Sequence, residues 1–242
     1  MLLYSLLITV NQNIYKITSS TFRKFILAIT DRFPDELQSK INFHITDEDF
    51  KSNKNRKIPH VLFAKPSKDS FRLFAYGDIG LDILEKIKEI FPDTIYLKEQ
   101  KFTVIKIVLN EPESIMAKSS AKTINYATKT PIMLFRNQRR KVFDGIIHNN
   151  EDLTKRDIEF QKATHDLIVK NLRYQLKILV KDKEYPFLDD ITLEWQEFKI
   201  IKIHNRDSFE PVVVGKFSTS WVLPRFIGQR IGDGFGEIIK VN

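Results

Sequence analysis

The sequence predicts an α+β protein of two tandem ferredoxin-like (RRM-like) domains that ends in a glycine-rich loop. Three observations lead there. The 242 residues suffice for two small domains. Amphipathic helical stripes alternate with short apolar runs of strand length, in the order of a split βαβ unit. Five of the eight glycines lie at position 215 or beyond, concentrated near the end of the chain.

The elements follow in order. Met1–Val10 is apolar and ends in Asn11-Gln12-Asn13, the pattern of a strand closed by a polar turn. It lacks a basic leading region and a small-residue cleavage site, so a buried first strand fits better than a signal peptide. Thr18 to Phe33 reads as a helix. Ser19, Ser20 and Thr21 offer N-caps, Phe22, Phe25, Ile26 and Ile29 recur at helical spacing, and Pro34 ends the run. Leu37–His44 is a weaker strand, and Asp47 to Lys57 a polar loop with a basic end. Pro59–Lys65 and Phe71–Tyr76 form a hairpin across Pro66-Ser67-Lys68-Asp69. Ile79–Phe91 carries Ile79, Ile83, Leu84, Ile87 and Ile90 along one helical stripe, and Lys101–Leu109 closes this half as a strand.

Asn110-Glu111-Pro112-Glu113 is the expected junction, giving domains at 1–110 and 111–242. The second half begins with strand-like stretches around Ser114–Lys118 and Thr130–Arg136. A helix from Leu153 to Asn171 follows, then a strand over Leu172–Val180. Ile191–Ile203 and Val212–Phe217 make a strand pair, and Phe235–Val241 is the last strand. With one clear helix and more strand, this half is a modified version of the first.

Composition narrows the function classes. Hydrophobic residues make up 42% and charged residues 29%, the balance of a packed protein rather than a disordered one. The absence of Cys excludes disulfides, thiolate zinc sites, cysteine nucleophiles and iron–sulfur clusters, and makes a cytoplasmic protein the expectation. No run approaches the roughly 18 apolar residues of a membrane span, so no membrane partner is expected. The formal charge of +8 is shared evenly between the two halves. A chain this basic either meets an anion such as nucleic acid or uses its charge for solubility alone.

The tail carries the most specific pattern: Gly215-Lys216-Phe217-Ser218, then Leu223-Pro224-Arg225-Phe226-Ile227-Gly228, then Gly232-Asp233-Gly234-Phe235-Gly236. It is not a dinucleotide fingerprint, whose spacing it lacks, nor a Walker A loop, since G-K-[ST] is absent. An ordinary glycine turn at a sheet edge is the plain alternative. The pattern resembles the C-terminal signature of the CRISPR-repeat-processing endoribonucleases of the RAMP superfamily: a G-x-F strand, L-P-x-x-I-G, a basic or polar loop, and G-F-G in the final strand. Asp233 departs from it by placing an acid where phosphate would approach, between the flanking Arg225 and Arg230 on one side and the chain end on the other.

The resemblance implies an endoribonuclease that cleaves CRISPR precursor RNA within its repeats, without metal or other cofactor. A ribose 2′-hydroxyl attacks the adjacent phosphate and leaves a cyclic phosphate and a 5′-hydroxyl. Such chemistry needs a general base, a general acid and a cation for the developing charge. Of five histidines, His44 is the first candidate: it follows the second expected strand, opens a polar loop, and pairs with Phe22-Arg23 on the first helix as in family members that carry F-R there. Those members continue F-R-G, where this chain has Lys24. His60 is the candidate second acid or base, and Tyr15 a residue to position the hydroxyl. Arg23 joins the RNA-binding set. Lys51, Lys54, Arg56 and Lys57 are either a solvated loop or, beside His44, a phosphate clamp in which Lys54 or Lys57 is the candidate to stabilise the pentavalent phosphate. Arg136, Arg139, Arg140 and Lys141 track an RNA backbone or hold a repeat stem. In the tail Arg225, Gly228, Arg230, Gly232, Gly234 and Gly236 grip the RNA. His148, His165 and His204 rank lower, and Trp221 is either core or a stacking platform. The carboxylates of Asp189-Asp190 and Asp47-Glu48-Asp49 lack histidines at ligand spacing, so no metal site is expected. The expected partner is CRISPR repeat RNA; other CRISPR effector subunits and a second copy of the chain are the further ones. The rival reading is a catalytically inactive RAMP-type RNA-binding subunit of a CRISPR effector complex.

Overall fold

The structure, a computed structural model, describes residues 2–14, 16–41, 60–114, 118–135, 139–179, 190–205, 208–229, 231 and 234–241. The chain divides into two compact units: Met1–Ile115 with Gly232–Gly234, and Met116–Ile231 with Phe235–Asn242. Among the described residues no helix is long and apolar enough to cross a membrane.

The first unit holds strands β1 (Leu2–Val10), β2 (Val61–Phe63), β3 (Ser70–Tyr76), β4 (Thr94–Leu97) and β5 (Gln100–Ser114) in the order β2-β3-β1-β5-β4. Every neighbouring pair is antiparallel. Helices α1 (Ser19–Ile29), α2 (Asp35–Ile41) and α3 (Gly77–Ile90) accompany it. Alternation along the strands sends Leu6, Ile8 and Val10 of β1 and Phe71, Leu73 and Ala75 of β3 into one core. The register sets Leu6 opposite Leu73 and Ile8 opposite Phe71. The helical stripes fill the same core with Phe22 and Ile26 from α1 and Ile83, Leu84 and Ile87 from α3. The Phe22 ring stacks on Phe71 at 4.2 Å and meets Phe63 edge-on at 6.4 Å, the offset and edge geometries that aromatic quadrupoles favour.

Thr18 caps α1: its Oγ1 accepts the Thr21 amide at 3.1 Å. Thr18→Ala is expected to cost about 1 kcal/mol and to lower the thermal midpoint by about 3 °C, read by circular dichroism.

Several elements differ from expectation. Residues 35–41 form a helix, not a strand. Pro34, expected only to end α1, also starts α2, its carbonyl accepting the amides of Leu37 and Gln38 at 2.8 and 3.0 Å. Asp35 then sits in a first turn, where negative charge suits the helix dipole. The rest of the expected Leu37–His44 strand lies outside the described residues. Strand β4 was not anticipated; only four residues long, it is too short to show a period.

The second unit contains β6 (Lys118–Thr128), β7 (Ile132–Met133), β8 (Glu194–Asn205), β9 (Ser208–Val222) and β10 (Ile238–Val241). The path β10-β6-β9-β7 is antiparallel throughout, and β8 pairs with β9 along most of their lengths. Helix α4 (Arg140–Asn149) and helix α5 (Leu153–Leu179) supply Phe143, Ile146, Phe160, Ile168 and Leu172 to a core shared with Phe135, Val213, Phe217 and Ile238. Helix α4 was hidden because only Phe143 and Ile146 of its ten residues are buried, behind an Arg-Lys start. The strand expected over Leu172–Val180 is a continuation of α5 to Leu179: Ile168, Leu172 and Gln175 keep the helical stripe, and no Gly or Pro interrupts it. The strand expected over Thr130–Arg136 shrinks to the two residues of β7.

Candidate nucleic-acid interface

The glycine-rich tail is built as an irregular ribbon. Ile227 donates its amide to Gly236 at 2.9 Å and Ile238 donates to Arg225 at 2.8 Å, so 225–227 and 236–238 run side by side. On the other flank Gln229 donates to Met133 at 2.8 Å and Gly236 to Pro131 at 2.9 Å. The amides of Ile227, Gln229 and Gly236 are therefore used within the protein. Phe226 and Ile227 are buried and anchor the ribbon.

Two glycines are required by geometry. Gly236 has φ +73°, and a Cβ there would collide with the Ile227 carbonyl. Gly234 has φ +86° and packs in the first unit: a Cβ would lie 2.6 Å from the Phe63 carbonyl oxygen and 3.1 Å from Ser19 Oγ. The Arg23 guanidinium lies 6.0 Å from the Phe63 ring centroid. Gly234, Arg23 and the start of α1 thus gather around Phe63. Gly228 is buried against Ile132 and Met133.

A residue that sequence reasoning missed holds the tail together. Glu237 is fully buried, and its Oε1 accepts Arg225 Nε at 3.0 Å, Arg225 Nη2 at 3.0 Å and Lys129 Nζ at 3.1 Å. Its backbone amide donates to Thr130 Oγ1 at 2.8 Å, and its carbonyl accepts the amides of Lys129 and Thr130. Desolvating a carboxylate is costly unless it is paired, and here two cations do so. The signal was available: a lone acid in an apolar last strand, with an arginine in the signature twelve positions before it. Arg225, expected to grip RNA, is mostly covered and bound to this carboxylate.

The remaining described candidates fall on separate elements. His60 lies just before β2, half-buried, with its carbonyl accepting the Tyr76 amide at 3.1 Å. His44, Tyr15, Lys51, Lys54, Arg56, Lys57, Arg136, Arg230 and Gly232 lie outside the described residues. Arg139 sits in a half-buried turn before α4, and Lys141 is exposed on the helix. Arg140 is held in place: Nε donates to Asp144 at 3.0 Å, Nη1 to the Phe209 carbonyl at 3.3 Å, and its guanidinium lies 5.2 Å from the Phe143 ring. Of the other histidines, His165 uses Nε2 on the Ile191 carbonyl at 2.6 Å and Nδ1 on Asp166 at 3.2 Å, a structural tie. His204 is exposed beside the Phe209 ring, and His148 ends α4. Trp221 is 5% exposed and packs in the core of the second unit, which removes it as a stacking platform.

No protein-family model and no curated protein matches this sequence. Solved structures do. A structure of Cas6b superposes with a TM-score of 0.68 at 18% identity, over all of both chains. A CRISPR RNA processing endoribonuclease Cas6b gives 0.61 at 15%, again over all of both chains. A Cas6 product complex gives 0.62 at 11% with the same full coverage. The chain has the fold of these proteins along its whole length.

Proposed function

We propose that the protein is a metal-independent endoribonuclease that cleaves CRISPR precursor RNA within its repeats to give guide RNAs. The observation that carries this reading is the full-length likeness in fold to Cas6 structures, one of them described as a CRISPR RNA processing endoribonuclease. The tail signature and the basic charge point the same way. In this reading each compact unit is a ferredoxin-like domain, with β5 belonging to the first as far as Ser114. The antiparallel order β2-β3-β1-β5 is that of the split βαβ unit, with β4 as an added edge strand. The tail then acts in two ways. Arg225, Gly228 and Gly236 shape the ribbon, while Gly234 and Arg23 face the RNA with Arg230 and Gly232.

Cleavage in this reading proceeds by transfer within the RNA. The 2′-hydroxyl loses its proton to a base, its oxygen forms a bond to the adjacent phosphorus, and the bond from phosphorus to the 5′-oxygen breaks as that oxygen takes a proton from an acid. His44 and His60 divide the base and acid roles, and Tyr15 orients the hydroxyl. A lysine of the 51–57 run meets the charge developing on the phosphoryl oxygens. Product ends are a 2′,3′-cyclic phosphate and a 5′-hydroxyl.

The test is incubation of purified protein with repeat RNA from a CRISPR array in excess EDTA. A single cut within the repeat supports the proposal. Tight binding without a cut would instead establish the RNA-holding subunit. The clamp has its own test: the triple variant Lys51→Gln, Lys54→Gln, Lys57→Gln is expected to weaken binding and to flatten the slope of log affinity against log salt by about 2, at about 0.7 per phosphate contact on single strands. Filter binding at several salt concentrations reads it.

A further inference from the structure

We propose a nucleotide subsite in the first unit, on the β4 side of α1, that holds one nucleotide of single-stranded RNA with its phosphate on Lys24 and Lys98 and its base against Tyr96. The proposal rests on the RNA-cleaving reading above and deepens it.

The site is an open hollow of about 460 Å³, lined by Ser20, Thr21 and Lys24 of α1 and by Tyr96, Leu97 and Lys98 at the end of β4. Its volume falls in the about 300–1,000 Å³ range of small-ligand sites. With Phe25 of α1 included, the lining carries two lysines, the hydroxyls of Ser20, Thr21 and Tyr96, two aromatic rings and no carboxylate; of the two rings, Tyr96 is the exposed one. Such a surface attracts a phosphate and an acidic peptide alike; the exposed Tyr96 ring is what favours a nucleotide. Tyr96 is 66% exposed while its neighbours Ile95 and Leu97 are buried. Strand alternation therefore holds its ring out of the core, and an outward aromatic beside cations is the arrangement that stacks bases and binds phosphates on single strands.

The cations are placed rather than merely nearby. Lys98 and Glu99 turn the β4–β5 hairpin with φ of +49° and +65°, and Lys98 Nζ donates to the Lys16 carbonyl at 3.3 Å, which draws it toward the start of α1. The first turn of α1 contains no acid, so the positive end of the helix adds to the same field. Arg23 and Lys24 are successive residues about 100° apart around the helix. Arg23 lies over Phe63 beside Gly234, while Lys24 lines the hollow. A strand crossing the first turns of α1 meets both Arg23 and Lys24.

The probe is fluorescein-labelled repeat RNA, read by fluorescence polarisation at fixed salt. Tyr96→Ala is expected to raise Kd about tenfold, and Tyr96→Phe, which keeps the stacking face, to stay within about twofold. The Lys24→Gln, Lys98→Gln double variant is expected to flatten the salt slope by about 1.4. An abasic scan of the RNA should find one position whose base loss weakens the wild type about tenfold and leaves Tyr96→Ala unchanged. All three side chains are exposed, and an unchanged thermal melt verifies folding. If the wild type binds repeat RNA and the variants bind it equally well, the subsite is refuted and the endoribonuclease reading stands. If the wild type binds no RNA, both fall.

Discussion

His44→Ala is expected to slow repeat RNA cleavage by about 10²–10⁴-fold while leaving RNA affinity and the thermal melt unchanged. The size follows from the role: removing a positioned proton-transfer group forfeits its contribution to the barrier without removing phosphate contacts. Histidine suits the task because its ordinary pKa of about 6.5 lets it both take and give a proton near neutrality. Single-turnover kinetics with the enzyme in excess separates this loss from weaker binding. Parallel His60→Ala and Tyr15→Phe variants apportion the acid and hydroxyl-positioning roles. An unaltered rate in His44→Ala would remove it from the mechanism.

Glu237→Ala is expected to destabilise the protein by about 2–3 kcal/mol. Breaking a buried ion pair by deleting one partner typically costs about 3–5 kcal/mol. The value here is set lower because Lys129 and Arg225 retain some access to water, with side chains 33% and 17% exposed. Glu237→Gln keeps an acceptor for Arg225 and is expected to cost roughly half as much. Urea denaturation measures both. The backbone bonds of residue 237 to Lys129 and Thr130 survive the substitution, so the protein still folds and the comparison is informative. A variant as stable as the wild type would mean that the ribbon holds without its ion pair.

What was legible in the sequence was whatever repeats along it. Leu6, Ile8 and Val10, or Ile83, Leu84 and Ile87, announce their element because several core contacts recur at one period. Elements that place only one or two side chains inside, such as α4 and β4, give the period nothing to act on. The end of α5 was misread because the alkyl-rich run at 176–180 suits a strand as well as a helix; burial of Leu172 and Gln175 on the existing stripe decides it. In the candidate site the same contrast holds. The tail glycines were visible by their clustering, and those at 228, 234 and 236 all adopt a backbone that other residues avoid. Glu237 stood out only as a lone acid in the last strand, since its importance lies in partners 12 and 108 positions away in sequence. Tyr96 and Lys98 were equally silent, because only the hairpin turn brings them beside Lys24.

The most direct test of the central claim is a comparison of two repeat RNAs in excess EDTA, identical except that one carries 2′-deoxyribose at the nucleotide preceding the cut. The account predicts that the all-ribose RNA is cleaved once, leaving a cyclic phosphate and a 5′-hydroxyl, and that the deoxy RNA binds equally well and stays intact. Cleavage of the deoxy RNA, or a requirement for added divalent metal with the all-ribose one, would contradict it.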